Sequence, residues 1–85
     1  MRELLLETIS KDGTEWNDIV KVIEQNTKIK NFLKVRSVIQ ELKNEDLIYR
    51  TANLHKEIYV KGSAPSDLDE QKRINLQQEL AKLSK

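Results

Sequence analysis

The stretch "KIKNFLKVRSVIQELKNEDLIYR", residues 28–50, carries two patterns at once. Val35, Val38, Ile39 and Leu42 recur at i, i+3, i+4 and i+7, the spacing that gathers four aliphatic side chains on one side of an α-helix. The bases Lys28, Lys30, Lys34 and Arg36 occupy a window with no acid between Glu24 and Glu41. On a helical wheel the side opposite the aliphatic stripe holds Lys30, Lys34, Ser37, Gln40 and Glu41, with Arg36 on its flank. Asn31 is placed to cap this helix, because its side-chain oxygen can accept a free N–H of the first turn. After Leu42 the period drops from 3.6 to 2. "LIYRT" and "EIYVK", separated by "ANLHK", read as a β-hairpin with Ile48, Ile58 and Val60 facing inward. Arg50, His55 and Lys56 then project from the strand and the loop.

Upstream, Leu5, Leu6 and Ile9 stand at helical spacing, which predicts a first helix over Arg2 to Asp12 that stops at Gly13. Leu4 points away from that stripe. In "TEWNDIVKVIEQN" the residues Trp16, Ile19, Val20 and Ile23 repeat the i, i+3, i+4, i+7 pattern. Asn17 is the expected cap of a helix running from Asp18 to near Asn26, with "TEW" as an extended lead-in. Downstream, "KGSAPSDLDEQK" breaks the composition. Gly62, Ser63 and Pro65 form a linker, and Ser66 with Asp69 has the spacing of a capping box before a final helix. Leu76, Leu80 and Leu83 make a narrow seam on it, suited to pairing with one other helix.

Composition narrows the function. The chain has 85 residues, a net charge of +1, 38% hydrophobic and 34% charged residues and no cysteine. One domain of this size has room for a single small core and not for a deep catalytic cleft. The serines lack a Gly-rich elbow, His55 stands alone, and no phosphate-binding glycine loop occurs, so the expectation is a protein that is not an enzyme, with no cofactor and no metal. No run approaches a membrane span, and "MRELLLETIS" carries acids where a signal peptide carries bases, so a cytoplasmic, intracellular protein is expected.

The order helix, extended lead-in, helix, turn, basic helix, hairpin resembles the winged helix-turn-helix family of DNA-binding domains. The resemblance covers Arg2 to Gly62 and rests on "TEWNDIVKVIEQNTKIKNFLKVRSVIQELKNEDLIYR", with Leu47 and Ile48 as the apolar pair that begins the wing. Where many members have a glycine before the wing, this chain has Asn44, Glu45 and Asp46, of which Asn or Asp can take the left-handed conformation at some cost. Phe32 stands in the first helical turn, where the family more often has a small polar residue. The expected fold is therefore mainly α with a small β-hairpin: a winged helix-turn-helix over residues 1–62, then a linker and C-terminal α-helix over 63–85.

This resemblance implies a small transcription regulator, a repressor, that binds double-stranded DNA without a small-molecule ligand. Lys28, Lys30, Asn31, Lys34, Arg36, Ser37 and Gln40 would lie along the major groove, and Arg50, His55 and Lys56 of the wing on the adjacent backbone or minor groove. Helices upstream carry an acidic excess, Glu3, Glu7, Asp12, Glu15, Asp18 and Glu24 against Arg2, Lys11 and Lys21, so the molecule is polarised despite its small net charge. Leu4, Leu76, Leu80 and Leu83 are the expected contacts of a homodimer; the other reading has the final helix packing back on Leu4 and the first helix of its own chain. The alternative is a winged-helix protein-interaction module in which Leu33, on the outward side of the basic helix, touches a protein partner.

Overall fold

A computed structural model describes residues 1–84. Four helices and a three-stranded antiparallel sheet follow in the order α1 (Arg2–Thr8), β1 (Thr14–Glu15), α2 (Trp16–Asn26), α3 (Phe32–Asn44), β2 (Ile48–Arg50), β3 (Ile58–Lys61) and α4 (Leu68–Leu83). The aliphatic stripes meet as their spacing requires. Leu5 and Ile9 from the first segment, Ile19 and Ile23 from α2, Val35, Ile39 and Leu42 from α3, and Ile48 and Tyr59 from the sheet form one buried cluster. Among the described residues no helix is long and apolar enough to cross a membrane.

α1 ends at Thr8, a turn earlier than its periodicity predicts. Ile9 turns extended, with ψ 116, and is fully buried. The released backbone finds local partners: Thr14 Oγ1 accepts the Ser10 N–H at 3.0 Å and donates to the Thr8 carbonyl at 3.3 Å. Gly13 follows at φ +105, where a Cβ would come 3.0 Å from the Ile58 Cγ2. Leu4, expected to face a second chain, is half-buried against the core of its own.

The extended lead-in is a strand. β1 pairs with β3 and not with β2, giving the sheet order β1-β3-β2. Trp16 N–H continues this pairing by donating to the Glu57 carbonyl at 2.8 Å. That bond satisfies the start of α2, which therefore begins at Trp16 with Glu15 at its cap position and no side-chain cap, in place of the expected Asn17. α3 does have its expected cap, the Asn31 Oδ1 accepting from Leu33 N at 3.1 Å.

The hairpin differs from expectation in which residues face inward. Ile48 is opposite Lys61, Tyr49 opposite Val60 and Arg50 opposite Tyr59, and directly opposed residues share a face. Tyr59 therefore joins Ile48 in the core, while Ile58 and Val60 lie half-buried on the other face, near Gly13. The two tyrosines do not oppose each other across the strands. At the start of α4, Leu68 N bonds the Pro65 carbonyl at 3.1 Å and no side-chain cap forms, so the expected capping box of Ser66 and Asp69 is absent.

Between α3 and β2 the chain turns through Asp46, whose φ of 59 makes it the one non-glycine residue with positive φ among those described. Its backbone is anchored by N–H to the Lys43 carbonyl at 3.1 Å, a contact glycine would keep. Left-handed backbone costs an L-residue roughly 1–2 kcal/mol, less for Asp, and glycine gives back part of the gain as chain entropy. Asp46→Gly is expected to raise stability by about 0.5–1 kcal/mol, read as an increase in thermal midpoint of several degrees; a lower midpoint would contradict this account.

Candidate nucleic-acid interface

α3 positions the candidate surface. Burying Val35, Ile39 and Leu42 turns Leu33, Lys34, Ser37, Gln40 and Asn44 outward, and all five are exposed. Lys28 and Lys30 precede the helix in the irregular turn after α2, both exposed. No acid stands in the first turn of α3, so the partial positive charge of the helix start adds to theirs. Among the described residues, Lys28, Lys30 and Lys34 form no ion pair. Glu24 shares an open cleft of about 430 Å³ with Lys28, Ile29, Lys30 and Phe32.

The candidate polar readers are bonded within their own helix. Ser37 Oγ donates to the Leu33 carbonyl at 3.0 Å and Gln40 Nε2 to Asn44 Oδ1 at 3.0 Å, while Asn31 serves as the cap. Exposed bonds of this kind exchange readily with water or a base edge, since each contributes only about 1 kcal/mol net.

Arg36 is placed differently from the lysines. Its Nη1 donates to Glu57 Oε2 at 2.8 Å, its Nη2 to Oε1 at 3.4 Å, and its guanidinium carbon sits 4.1 Å from the Trp16 ring centroid. Phe32 meets the same indole edge-on, at 6.4 Å between centroids and 81° between planes. Tyr59 Oη donates to Glu57 Oε2 at 2.6 Å. Three segments thus meet around Glu57: α3 through Arg36 and β3 through Tyr59 at its carboxylate, and the start of α2 through the Trp16 N–H at its backbone carbonyl. Phe32, the residue unlike the resembled family's, belongs to this joint and not to the outward face.

Lys56, His55 and Arg50 of the hairpin also have acids beside them, while Lys61 on β3 forms no ion pair among the described residues. Lys56 Nζ lies 3.5 Å from Glu15 Oε1, and His55 Nε2 lies 3.5 Å from Glu79 Oε2 of α4. Asn53 shapes this loop, its Oδ1 accepting from the N–H groups of His55 and Lys56 at 2.8 and 3.1 Å. Arg50 is half-buried beside Tyr59 and Glu57. The structure therefore separates the expected set: Lys28, Lys30 and Lys34 are exposed and form no ion pair among the described residues, whereas Arg36, His55 and Lys56 each have a carboxylate beside them. Glu57, Trp16 and Tyr59 were not legible as part of this region, because Glu57 lies 21 positions from Arg36.

Searches against protein-family models, curated proteins and solved structures gave no match for this chain.

Burial pushes the Glu57 carboxyl up, but the hydrogen bonds from Tyr59 and Arg36 and the charges of Arg36 and Arg50 outweigh it and hold the group below its ordinary value of 4.5. Burial first, then the bond to Glu57 and its charge, push Tyr59 to about 12. Below about pH 4.5 the unfolded chain binds the Glu57 proton more readily than the folded one, so stability present above that value is lost as pH falls through the lower folded value. Glu57→Gln is expected to flatten this part of the acid limb in melts recorded against pH. Tyr59→Phe should cost about 1–2 kcal/mol at neutral pH, seen in denaturant titration, because a buried charge-assisted bond is lost; no change would remove the joint from the stability account.

Proposed function

We propose that this chain is a small winged-helix regulator that binds duplex DNA with α3 in the major groove and acts as a repressor by occupying promoter sequence. The observation that carries the reading is the grouping of Lys28, Lys30 and Lys34, exposed and without ion-pair partners among the described residues, at the acid-free start of a helix whose other side is buried. An α-helix about 10–12 Å across fits the B-DNA major groove, and the phosphates on its rims attract cations with little regard to sequence. Ser37 and Gln40, one and two turns beyond Leu33 on the outward side, are the side chains in position to meet base edges. In this reading Arg36 sets the angle between α3 and the hairpin, which would act as the wing, and the hairpin's bases Arg50, His55 and Lys56, with acids beside them, add less to affinity than their number implies.

A second reading has its own observation. Leu33 is 74% exposed at the crest of the outward side. It fits the methyl of a thymine, and it equally fits an apolar pocket on a protein partner, the reading in which this is an interaction module.

Salt separates the two. Three phosphate contacts predict a log–log slope of affinity on salt concentration of roughly −2.7 per copy, measured by fluorescence anisotropy with labelled duplex. The triple variant Lys28→Ala, Lys30→Ala, Lys34→Ala touches no core residue. It is expected to weaken binding by at least about tenfold and to flatten most of that slope. Binding of the triple variant equal to that of the parent would count against these lysines and α3 as the DNA contact, and no binding to any duplex at low salt would turn the argument toward the protein-partner reading. Arg36→Ala is a poor substitute for this test, since it also opens the joint with Glu57.

A further inference from the structure

α4 is fastened to its own chain by its polar side. Asn75 Nδ2 donates to the Ala52 carbonyl at 2.9 Å, Glu79 reaches His55, and only Leu68, at the first turn, is buried. Gln71, Gln78 and Lys82 line an open cleft of about 520 Å³ between the helix and the hairpin loop. The leucines face elsewhere. At 100° per residue, Leu76, Leu80 and Leu83 centre about a quarter turn from the line through Leu68, Asn75 and Glu79. They are 51%, 54% and 75% exposed. A surface helix ordinarily buries its apolar stripe and shows its polar one; α4 does the reverse.

We infer that this leucine ridge is the contact surface for a second copy of the chain, the two α4 helices running antiparallel with Leu76 of each against Leu80 of the other. Charge along the ridge selects the occupant and its direction. Asp69, Lys72 and Arg73 lie in line with the leucines on the N-terminal half of α4, and a parallel pair would set each against its own counterpart. Antiparallel pairing places the Arg73 stem over the partner's Leu83 and its guanidinium at the terminal carbonyls of the partner helix, the end that attracts cations. Glu79 is the one like charge this arrangement brings near its counterpart, and on each copy His55 draws it aside. Leu54, 43% exposed and sharing a cleft with Leu76, widens the apolar strip.

A pairing along one helix is a small interface, so weak association is expected and is sought at micromolar concentrations and above. The inference rests on α4 and the hairpin loop beside it, and fails or stands separately from the DNA reading.

Sedimentation velocity on the full chain, from micromolar to submillimolar concentration, is expected to show mass rising toward twice that of the chain. Leu80→Glu, at a side chain outside the core cluster, should hold the protein monomeric, with a thermal midpoint equal to the parent's at concentrations low enough that both are monomers. The chain contains no cysteine, so single-cysteine variants report orientation directly. Leu76→Cys mixed with Leu80→Cys should give the mixed disulfide under oxidation, with little product from either alone. A parent that stays monomeric throughout, or a Leu80→Glu variant that still dimerises, overturns the surface. Disulfides from each variant alone, without the mixed product, overturn the antiparallel direction.

Discussion

Arg36 held between the Glu57 carboxylate and the Trp16 ring is the contact on which the geometry of the candidate surface depends. Packing of Val35, Ile39 and Leu42 in the core sets which side of α3 is buried, and the joint adds a directional contact to that packing. A forked guanidinium on a carboxylate has a preferred plane, and an indole beneath it sets a second constraint on that plane. Together they fix the angle at which α3 leaves the sheet, and hence the direction in which Lys34, Ser37 and Gln40 point. Glu57 is in turn held by Tyr59 from the core side. The orientation of the outward face is thereby traced back to a tyrosine buried among aliphatic residues.

The arrangement of charge follows from the same joint. Acids on β1, just before β3 and on α4 lie beside the bases of α3 and the hairpin, Glu15 with Lys56, Glu57 with Arg36 and Glu79 with His55. At the other end of α3, Arg2 bridges Glu41 and Glu45 at 3.6 and 2.7 Å, tying α1 to the helix end. These pairs are largely exposed and add little stability individually. Their larger effect is on which bases stay available: Arg36 and Lys56 are held by carboxylates, whereas Lys28, Lys30 and Lys34, in and just after the turn before α3, form no ion pair among the described residues. Under the proposed reading, three lysines concentrate binding where the helix can enter a groove.

Long-period features were legible in the residues and short-range choices of partner were not. The i, i+3, i+4, i+7 repeats located Ile19, Ile23, Val35, Ile39 and Leu42 in the core, and Asn31 announced its cap by residue type and position. The left-handed turn was confined to Asn44, Glu45 or Asp46, and Asp46 took it. β1, at two residues, is too short to have a period. Ile58, Tyr59 and Val60 are all apolar, so alternation could not say which of them faced inward, and a single step of parity moves every side chain to the other face. Arg36 and Glu57 are ordinary surface residue types whose meeting depends on the completed fold. The seam of α4 was visible, but the polar stripe that binds the hairpin loop looked like any solvated face.

Trp16 is the only tryptophan in the chain, and it lies where α2, α3 and the sheet converge. With a cation over its face and Phe32 at its edge, the indole occupies an environment that changes whenever Arg36 leaves Glu57. The protein thus contains its own optical reporter. Intrinsic emission, recorded without any label, would follow the opening of this junction in real time as a ligand arrives at the basic helix.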